Sequence, residues 1–384
     1  MSYQNSNTVS LVQSEDIEIT NAFHQEGDLP NSSETYSSSN KVGITPEVLH
    51  YEVKELIKQS EDTLNSKGLF TVKTANKWIE QAKTRVIPKM LFGEFWFEGE
   101  LCILFADTNL GKSILAVQIG NSISNGIGIQ GFLFEANGQL VLYFDFELSD
   151  KQFENRYSIN YQEHYIFHDN FIRVEINPDA IIPDCQSFED YLYTSLELSI
   201  KETGAKILII DNITYLKTET EKAKDALPLM KHLKALKNKY GLSILALAHT
   251  PKRDMTKPIT RNDLQGSKML INFCDSSFSI GESNTDKNLR YIKQIKSRNT
   301  EIIYDSENVC VCQIDKPKNF LKFEFLDFGT ERSHLKQPTE GDNENLIQKI
   351  IELDEQGKSL RDIGKDLGIT HMKVSRILKK CNKL

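Results

Sequence analysis

The sequence lacks the features of secreted, membrane-spanning and metal-stabilised proteins. No apolar run approaches the length of a membrane span, and the first residues do not form the charged, apolar and small-residue pattern of a signal peptide. Cysteine is scarce, with six in 384 residues, and Cys310 and Cys312 have no second pair at metal-binding spacing. Buried free thiols are therefore favoured over a zinc site, and the reducing cytoplasm is the predicted compartment.

A net positive charge is also lacking, and the net charge of −8 argues against nucleic-acid binding along the whole chain. The charge is unevenly distributed. Residues 1–45 hold six acidic side chains and one basic side chain, whereas residues 356–384 hold eight basic and two acidic side chains. A basic segment on an acidic protein is typical of local nucleic-acid binding.

Composition and hydrophobic periodicity divide the chain into five segments. These are a disordered polar tail, a helical region, an α/β domain, a polar linker and a small helical module, at residues 1–44, 45–97, 98–328, 329–342 and 343–384. In the helical region, Thr45-Pro46-Glu47 is a typical helix start, and a second helix is predicted over Lys73–Thr84.

The α/β domain alternates apolar runs with helical patterns, which predicts a doubly wound, mainly parallel sheet. The predicted strands are Glu100–Phe105, Leu140–Phe146, Phe171–Ile176, Lys206–Ile210 and Ser243–Ala248. The helices between them are predicted at Lys112–Ser124, Ser187–Thr203 and Glu221–Tyr240. Five closely spaced segments predict an antiparallel extension of the sheet, at Ser276–Ser283, Leu289–Lys296, Glu301–Tyr304, Val309–Ile314 and Phe320–Phe325.

A phosphate-binding motif, the P-loop, joins the first of these strands to the first helix. Its residues are Ala106-Asp107-Thr108-Asn109-Leu110-Gly111-Lys112-Ser113. The backbone N–H groups of such a loop surround the phosphates of a nucleotide such as ATP, the lysine binds the β- and γ-phosphates, and the serine hydroxyl binds Mg²⁺. Ala106 replaces the usual glycine, which is compatible with the motif if its φ angle is negative.

Three further strand ends carry candidate catalytic residues. Asp211 ends one strand and is predicted to hold Mg²⁺. Glu147 ends another and is the candidate general base for the attacking water, with Asp145 predicted on the same strand face and a helix-capping role as the alternative. His249 ends a third strand, and its position fits a γ-phosphate sensor and a structural residue equally well.

These motifs together resemble the RecA-like ATPase core, in particular the hexameric replicative helicases of the RepA and DnaB types. The match covers roughly residues 85–300 and includes Glu147 followed by Arg156, a His-Thr-x-Lys turn and a Gly-Ser pair, at His249 to Lys252 and Gly266-Ser267. The resemblance implies ATP and Mg²⁺ as cofactors, Glu147 as the catalytic glutamate, and a homohexameric ring that acts on DNA.

The resemblance also suggests contacts between subunits and with DNA. Lys296 and Arg298 match a Lys-x-Arg strand whose cations reach the γ-phosphate of the adjacent subunit, so Arg298 is a candidate arginine finger. The cationic loop from Lys252 to Arg261, with Lys252 and Arg253 at its start, is predicted to bind the backbone of single-stranded DNA, and a solvated loop is the alternative.

The C-terminal module resembles resolvase-like and sigma-like helix-turn-helix domains. A turn at Gly368-Ile369-Thr370 precedes the predicted last helix, His371–Lys380. The residues predicted to face the major groove of DNA are Thr370, His371, Met372, Lys373, Ser375 and Arg376. A protein-interaction module with a basic face is the alternative.

The predicted function is an ATP-driven motor that acts on DNA, most concretely a replication helicase of a plasmid or mobile element. The first alternative is an ATP-switched DNA-binding regulator that unwinds nothing. A second alternative is a transcription regulator with a degenerate nucleotide site, and Ala106 is the one feature in its favour.

Overall fold

The computed structural model describes residue 50 and residues 70–184, 187–216, 226–251, 253–264, 267–337 and 340–381. The predicted disordered tail and almost all of the helix predicted from Thr45 lie outside these ranges. The chain forms two compact units, Met1–Arg85 and Val86–Leu384. Within the described ranges, no helix combines the length and apolar character that a membrane span requires.

The first unit contains helix α1, Ala75–Lys83. The Thr74 hydroxyl accepts a hydrogen bond from the backbone N–H of Lys77 (3.3 Å), so this helix begins with an ordinary N-cap. The helix predicted over Lys73–Thr84 is therefore present.

The second unit is built around a nine-stranded sheet. Its strands, together with two small two-stranded pairs, are β1 Met90–Phe92, β2 Trp96–Phe97, β3 Leu101–Ala106, β4 Val141–Asp145, β5 Ser158–Ile159, β6 Glu163–His164, β7 Phe171–Val174, β8 Ile207–Asp211, β9 Ser243–His249, β10 Ser276–Glu282, β11 Leu289–Lys296, β12 Val309–Asp315 and β13 Lys322–Gly329. The helices of this unit are α2 Lys112–Asn125, α3 Asp150–Arg156, α4 Phe188–Thr203, α5 Ala226–Tyr240, α6 Ser267–Phe273, α7 Glu331–His334, α8 Glu340–Glu355, α9 Leu360–Asp366 and α10 His371–Cys381.

The strand order in the large sheet is β13-β12-β11-β10-β3-β9-β8-β4-β7. Strands β10, β3, β9, β8, β4 and β7 run parallel, and β11, β12 and β13 continue the sheet in antiparallel fashion. The P-loop strand β3 is separated from the Asp211 strand β8 by one inserted strand, β9. The predicted α/β class is confirmed: this is a RecA-like, doubly wound, mainly parallel sheet with an antiparallel extension.

The alternating side chains of the P-loop strand divide the hydrophobic core between the two sheet faces. Leu101, Ile103 and Phe105 belong to one buried cluster, together with apolar residues of α4 and α5. Cys102 and Leu104 belong to the other cluster, with the apolar residues of α2. Both faces are covered, which explains why the strands are apolar throughout instead of alternating with polar residues.

One predicted strand, Glu301–Tyr304, is absent, because a glutamine side chain occupies the hydrogen-bonding groups of this segment. The Gln294 Oε1 atom accepts hydrogen bonds from the backbone N–H groups of Ile303 (2.8 Å) and Tyr304 (2.9 Å). Tyr304 also stacks on Phe95, with ring centroids 4.9 Å apart. These contacts hold the segment beside β11 without regular strand pairing, with Ile302 and Ile303 exposed and Tyr304 half-buried.

Two predicted segment boundaries need correction. Residues 90–97, assigned to the helical region, form β1 and β2, and their side chains Phe92 and Trp96 are buried in the same cluster as the P-loop helix. In the predicted linker, Glu331 is fully buried and forms an ion pair with Lys293 (2.5 Å), so α7 packs as part of the domain that contains the large sheet. A buried charge requires such a partner, and the linker's polar composition concealed this one.

The three C-terminal helices have the predicted positions. The side chain of Ser359 accepts a hydrogen bond from the N–H group of Asp362 (3.2 Å) at the start of α9, and Gly368 adopts a φ angle of 63° in the turn before α10. Ile350, Ile363 and Val374, one from each helix, form a separate buried cluster. The module therefore has its own small core.

Candidate active site

The P-loop leaves the sheet at the carboxyl end of β3, where Ala106 lies opposite His249 of β9. Its backbone turns through positive φ angles at Asn109 (62°) and Gly111 (93°). A Cβ atom on Gly111 would lie 2.8 Å from a side-chain carbon of Ile314, so this glycine is required both by conformation and by packing. Ala106 ends a strand and is not among the residues with positive φ, so the substitution of glycine by alanine introduces no backbone strain.

The ammonium group of the P-loop lysine is held by hydrogen bonds to the loop backbone and to His249. Lys112 is only 6% exposed, and its ammonium group donates to the carbonyl oxygens of Ala106 (3.1 Å) and Asp107 (3.0 Å) and to His249 Nδ1 (3.1 Å). Burial lowers the lysine pKa, and the nearby carboxylates of Asp211 and Glu147 oppose this effect. Phosphate oxygens are the natural replacement for these carbonyl contacts.

His249 links this lysine to the candidate general base. Its Nε2 atom lies 3.3 Å from Glu147 Oε1, and the same oxygen accepts a hydrogen bond from Asn212 Nδ2 (2.8 Å). Because Nδ1 accepts from the lysine, Nε2 is the nitrogen that carries the proton in the neutral ring. The hydrogen bond from His249, followed by those from Asn212 and the charge of Lys112, lowers the pKa of Glu147 to about 2, against the opposing effect of partial burial.

Asp211 is a buried carboxylate with one unused oxygen. The side chain is 0% exposed, Tyr143 donates to its Oδ2 atom (2.7 Å), and its Oδ1 atom has no hydrogen-bond partner among the described residues. Burial raises its pKa to about 6, although Ser113 and Tyr143 act in the opposite direction. A buried carboxylate oxygen without a partner, next to the P-loop serine, fits a Mg²⁺ ion well.

The protein itself offers few other ligands for that ion. The described ranges contain no group of three or more His, Cys, Asp or Glu side chains arranged to hold a metal. This agrees with the way Mg²⁺ is usually bound in nucleotide sites, by one or two protein oxygens, substrate phosphates and water. Ser113 and Asp211 are the residues that would hold it.

Asp145 has a different role from the predicted one. Strand β4 ends at this residue, so Glu147 lies beyond the strand and the two carboxylates do not share a strand face. Asp145 is buried, and its Oδ1 atom accepts hydrogen bonds from the N–H groups of Glu147 (3.2 Å) and Leu148 (3.0 Å). The cap of the next helix is formed by Ser149, whose N–H donates to Gln152 (2.9 Å). Glu147 is thus free of the capping role that was the alternative.

A cavity of about 110 Å³ lies at the centre of these groups. It is lined by Thr108, Asn109, Gly111, Lys112, Ser113, Ile114, Glu147, Leu148, Arg156 and His249. Sequence analysis named Arg156 as part of the family resemblance and predicted no role for it. In the structure, its Nη1 atom is buried at this cavity without a hydrogen-bond partner among the described residues. Asn212 was missed altogether, although a polar residue directly after Asp211 could have been noticed.

The predicted arginine finger lies far from the cavity of its own chain. Strand β11 runs antiparallel to β10, which places Arg298 beyond the amino-terminal edge of the parallel strands, and it pairs there with Asp275 (2.9 Å). Lys296 donates to the carbonyl oxygens of Ile271 (2.5 Å) and Cys274 (2.6 Å) at the end of α6. Arg298 therefore cannot act within its own subunit, and its action on a neighbouring subunit stays a prediction.

The candidate DNA-binding residues of the loop differ from expectation. Lys252 and Gly266 lie outside the described residues. Arg253 is turned inward: its Nε and Nη1 atoms are buried, and Nη2 donates to the carbonyl oxygen of Lys257 (2.8 Å). Two of the three guanidinium nitrogens of Arg253 are therefore turned away from solvent. Among the described cations of the loop, Lys257 and Arg261 are exposed, and Lys257 contacts the carbonyl oxygen of Gly368 in the C-terminal module (2.8 Å).

The C-terminal candidates lie at the start of α10. Thr370, His371, Met372, Lys373 and Arg376 are exposed, Ser375 is half-buried, and Val374 points into the core of the module. The Thr370 hydroxyl accepts a hydrogen bond from the N–H of Lys373 (3.3 Å), so it also caps the helix. The predicted DNA-facing side chains therefore share one accessible surface.

The fold and this site define a RecA-like domain with a P-loop nucleotide-binding site. Residues 71–255, slightly under half of the chain, match the family described as AAA domain. Comparison with curated proteins gives no match. Among solved structures, the chain is similar to the KaiC-like protein PH0186 of the hyperthermophilic archaeon Pyrococcus horikoshii OT3, with 15% identity, coverage of 60% of this chain and 91% of that chain, and a TM-score of 0.39.

Proposed function

We propose that this protein is an ATP-hydrolysing motor that acts on DNA, in its most concrete form a replication helicase of a plasmid or mobile element that works as a homohexameric ring. The observation that supports the catalytic part most strongly is the continuous contact from Lys112 through His249 to Glu147. It links the group that binds the phosphates to the group that would activate water.

In the proposed reaction, the backbone of the P-loop and Lys112 bind the β- and γ-phosphates of ATP, and Arg156 contacts the nucleotide from the side of the cavity. Mg²⁺ between Ser113 and Asp211 would neutralise phosphate charge. Glu147 accepts a proton from the water that attacks the γ-phosphorus, and the bond between that phosphorus and the oxygen bridging to the β-phosphate breaks.

The low pKa of Glu147 applies to the site without nucleotide. At a pKa of about 2 the carboxylate is a weak base, because His249, Asn212 and Lys112 all stabilise its charge. When Lys112 binds phosphate oxygens instead, the stabilising cation is lost, and a γ-phosphate within reach of His249 competes for the Nε2 proton. Both changes raise the basicity of Glu147 at the moment when ATP is bound.

The DNA-binding part of the proposal is supported by the exposed start of α10. Lys373, Arg376, Lys379 and Lys380 lie on the accessible side of this helix, opposite Val374 in the core. Cations in this arrangement suit a duplex backbone. The contact between Lys257 and Gly368 joins the loop that follows the nucleotide site to the turn before this helix.

The test is ATP hydrolysis with and without single-stranded DNA, with the oligomer size measured in the same samples. A motor predicts stimulation by DNA, a ring-sized oligomer with ATP, and displacement of a strand from a forked duplex. Glu147→Gln should bind ATP but hydrolyse it about 10²- to 10⁴-fold more slowly, whereas Glu163→Gln, at an exposed residue of β6, is the matched control. Hydrolysis without strand displacement at any oligomer size would favour the alternative, an ATP-switched DNA-binding regulator.

A further inference from the structure

Arg173 lies on β7, the strand at one edge of the large sheet, and makes several contacts with the segment that carries Glu147. Its Nε atom donates to Asp145 Oδ2 (2.9 Å), its Nη1 atom to Asp150 Oδ1 (2.9 Å), and its Nη2 atom to the carbonyl oxygen of Leu148 (2.7 Å). The guanidinium carbon also lies 4.7 Å from the ring centroid of Phe153. One planar side chain therefore holds the turn after β4 at three points.

Asp145 connects Arg173 to the backbone of Glu147 through hydrogen bonds. Its side chain is completely buried, so its charge depends on Arg173 as the counter-ion. Its second oxygen accepts the hydrogen bonds from the N–H groups of Glu147 and Leu148. One oxygen of the Asp145 carboxylate therefore accepts a hydrogen bond from the guanidinium group of Arg173. The other oxygen holds the two backbone N–H groups that fix the position of the Glu147 main chain.

The side chain of Glu147 has little support of its own. It is 41% exposed, and one oxygen receives both of its contacts, from Asn212 and His249. Because only one of its two oxygens is held, the direction of the carboxylate also depends on the backbone from which the side chain projects. A displacement of about 1 Å in a catalytic group costs up to about 10²-fold in rate.

We propose that Arg173 is a positioning residue for ATP hydrolysis: through the buried carboxylate of Asp145 it fixes the turn that aims Glu147 at the γ-phosphate. The inference rests on the proposed role of Glu147 as general base. It assigns Arg173 no contact with nucleotide, because Arg173 is not among the residues that line the cavity.

The test compares Arg173→Gln with a control variant that changes another partner of the same guanidinium group. Asp150→Asn neutralises an exposed carboxylate partner of Arg173, 82% of which is open to solvent, and leaves the pair with Asp145 intact. We expect Arg173→Gln to lower kcat about 10- to 100-fold, with unchanged affinity for a non-hydrolysable ATP analogue, whereas Asp150→Asn keeps the parental kcat.

A double variant separates positioning from simple loss of stability. In Arg173→Gln with Asp145→Asn, the amide oxygen at position 145 still accepts from the two backbone N–H groups, and its NH₂ group donates to the new glutamine. The buried charge is gone and the hydrogen bonds remain. We expect kcat of this double variant to be at least tenfold higher than that of Arg173→Gln alone. Its unfolding temperature should be close to that of the parent protein.

Three results would overturn the inference. Parental kcat in the folded Arg173→Gln variant would show that the turn holds its position unaided. Equal losses of analogue affinity and kcat would indicate a general structural role. No recovery in a double variant as stable as the parent would show that Asp145 does not transmit the effect. Glu147→Gln, measured in parallel, keeps the two proposals apart: full activity there refutes the base assignment, whatever Arg173 does.

Discussion

Asp211→Asn should remove a pH-dependent loss of stability from the nucleotide-free protein while it abolishes hydrolysis. The reason is that Asp211 is ionised in a fully buried position, and burial raises its pKa from 3.8 to about 6. Between these values the folded protein binds more protons than the unfolded chain. The stability of the parent protein therefore falls as the pH rises from about 4 to above 6, and asparagine, which has no charge to bury, removes this loss.

The size of the effect follows from the pKa shift. A shift of roughly two pKa units at about 1.4 kcal/mol each corresponds to about 3 kcal/mol. Asparagine retains an oxygen that accepts from Tyr143, but its NH₂ group replaces an oxygen that has no partner among the described residues, which costs about 1–3 kcal/mol at every pH. The informative quantity is therefore how the difference in the free energy of unfolding between the two proteins changes with pH. The fixed cost is the same at every pH and drops out of that comparison.

The assay is denaturant unfolding of both proteins between pH 4 and pH 8, with a chelator present and no nucleotide. The free energy of unfolding of the variant, relative to the parent, should rise by about 3 kcal/mol across this range, with most of the change complete by pH 7. A difference that stays constant with pH would refute the reasoning, because it would mean that the buried carboxylate has an ordinary pKa. ATP hydrolysis measured with Mg²⁺ on the same samples should be lost in the variant.

Three further predictions concern assembly and DNA. Mixing Arg298→Ala with Lys112→Ala protein should restore part of the ATPase activity, since a hybrid interface pairs an intact P-loop with an intact finger, and no recovery in mixtures that exchange subunits contradicts the trans role. Lys373→Ala with Arg376→Ala should weaken duplex DNA binding and reduce the salt slope by about 2, and unchanged binding in a fluorescence titration would favour a protein-interaction module. Lys257→Met should increase trypsin cleavage after Lys336 a few-fold while leaving basal ATP hydrolysis unchanged, because the contact with the C-terminal module is lost. Equal cleavage rates in the two proteins would show that this contact does not restrain the module.

The sheet and the P-loop were predictable because their signals are local. A buried parallel strand must be apolar on both faces, and a P-loop needs glycine, lysine and serine in consecutive positions, so both can be recognised over a few residues. The predicted strands that end at Asp211 and His249 differ from the observed ones by one residue or less at each end. The three C-terminal helices were predictable for the same reason, since their caps and apolar positions are close together in the chain.

The errors arose where a distant side chain changed the local outcome. Glu301–Tyr304 has the composition of a strand, but the side chain of Gln294 takes up its backbone donors. Glu331 lies in a polar segment that indicates a linker, but Lys293 on β11 provides a counter-charge that makes its burial possible. Neither partner could be identified from the segment itself.

The sequence by itself therefore determined which chemical groups are available to the site: a P-loop, an acid at the end of β8 and an acid after β4, for which we propose phosphate binding, Mg²⁺ binding and water activation. Only the tertiary structure decided which of them meet and what their charges do. Asn212 and His249 contact Glu147 because β8 and β9 end at the same edge of the sheet as β4, and Arg173 reaches Asp145 because β7 lies beside β4. Strand order is set by packing across the whole domain, and that packing also sets the burial that raises the pKa of Asp211 and the contacts that lower the pKa of Glu147.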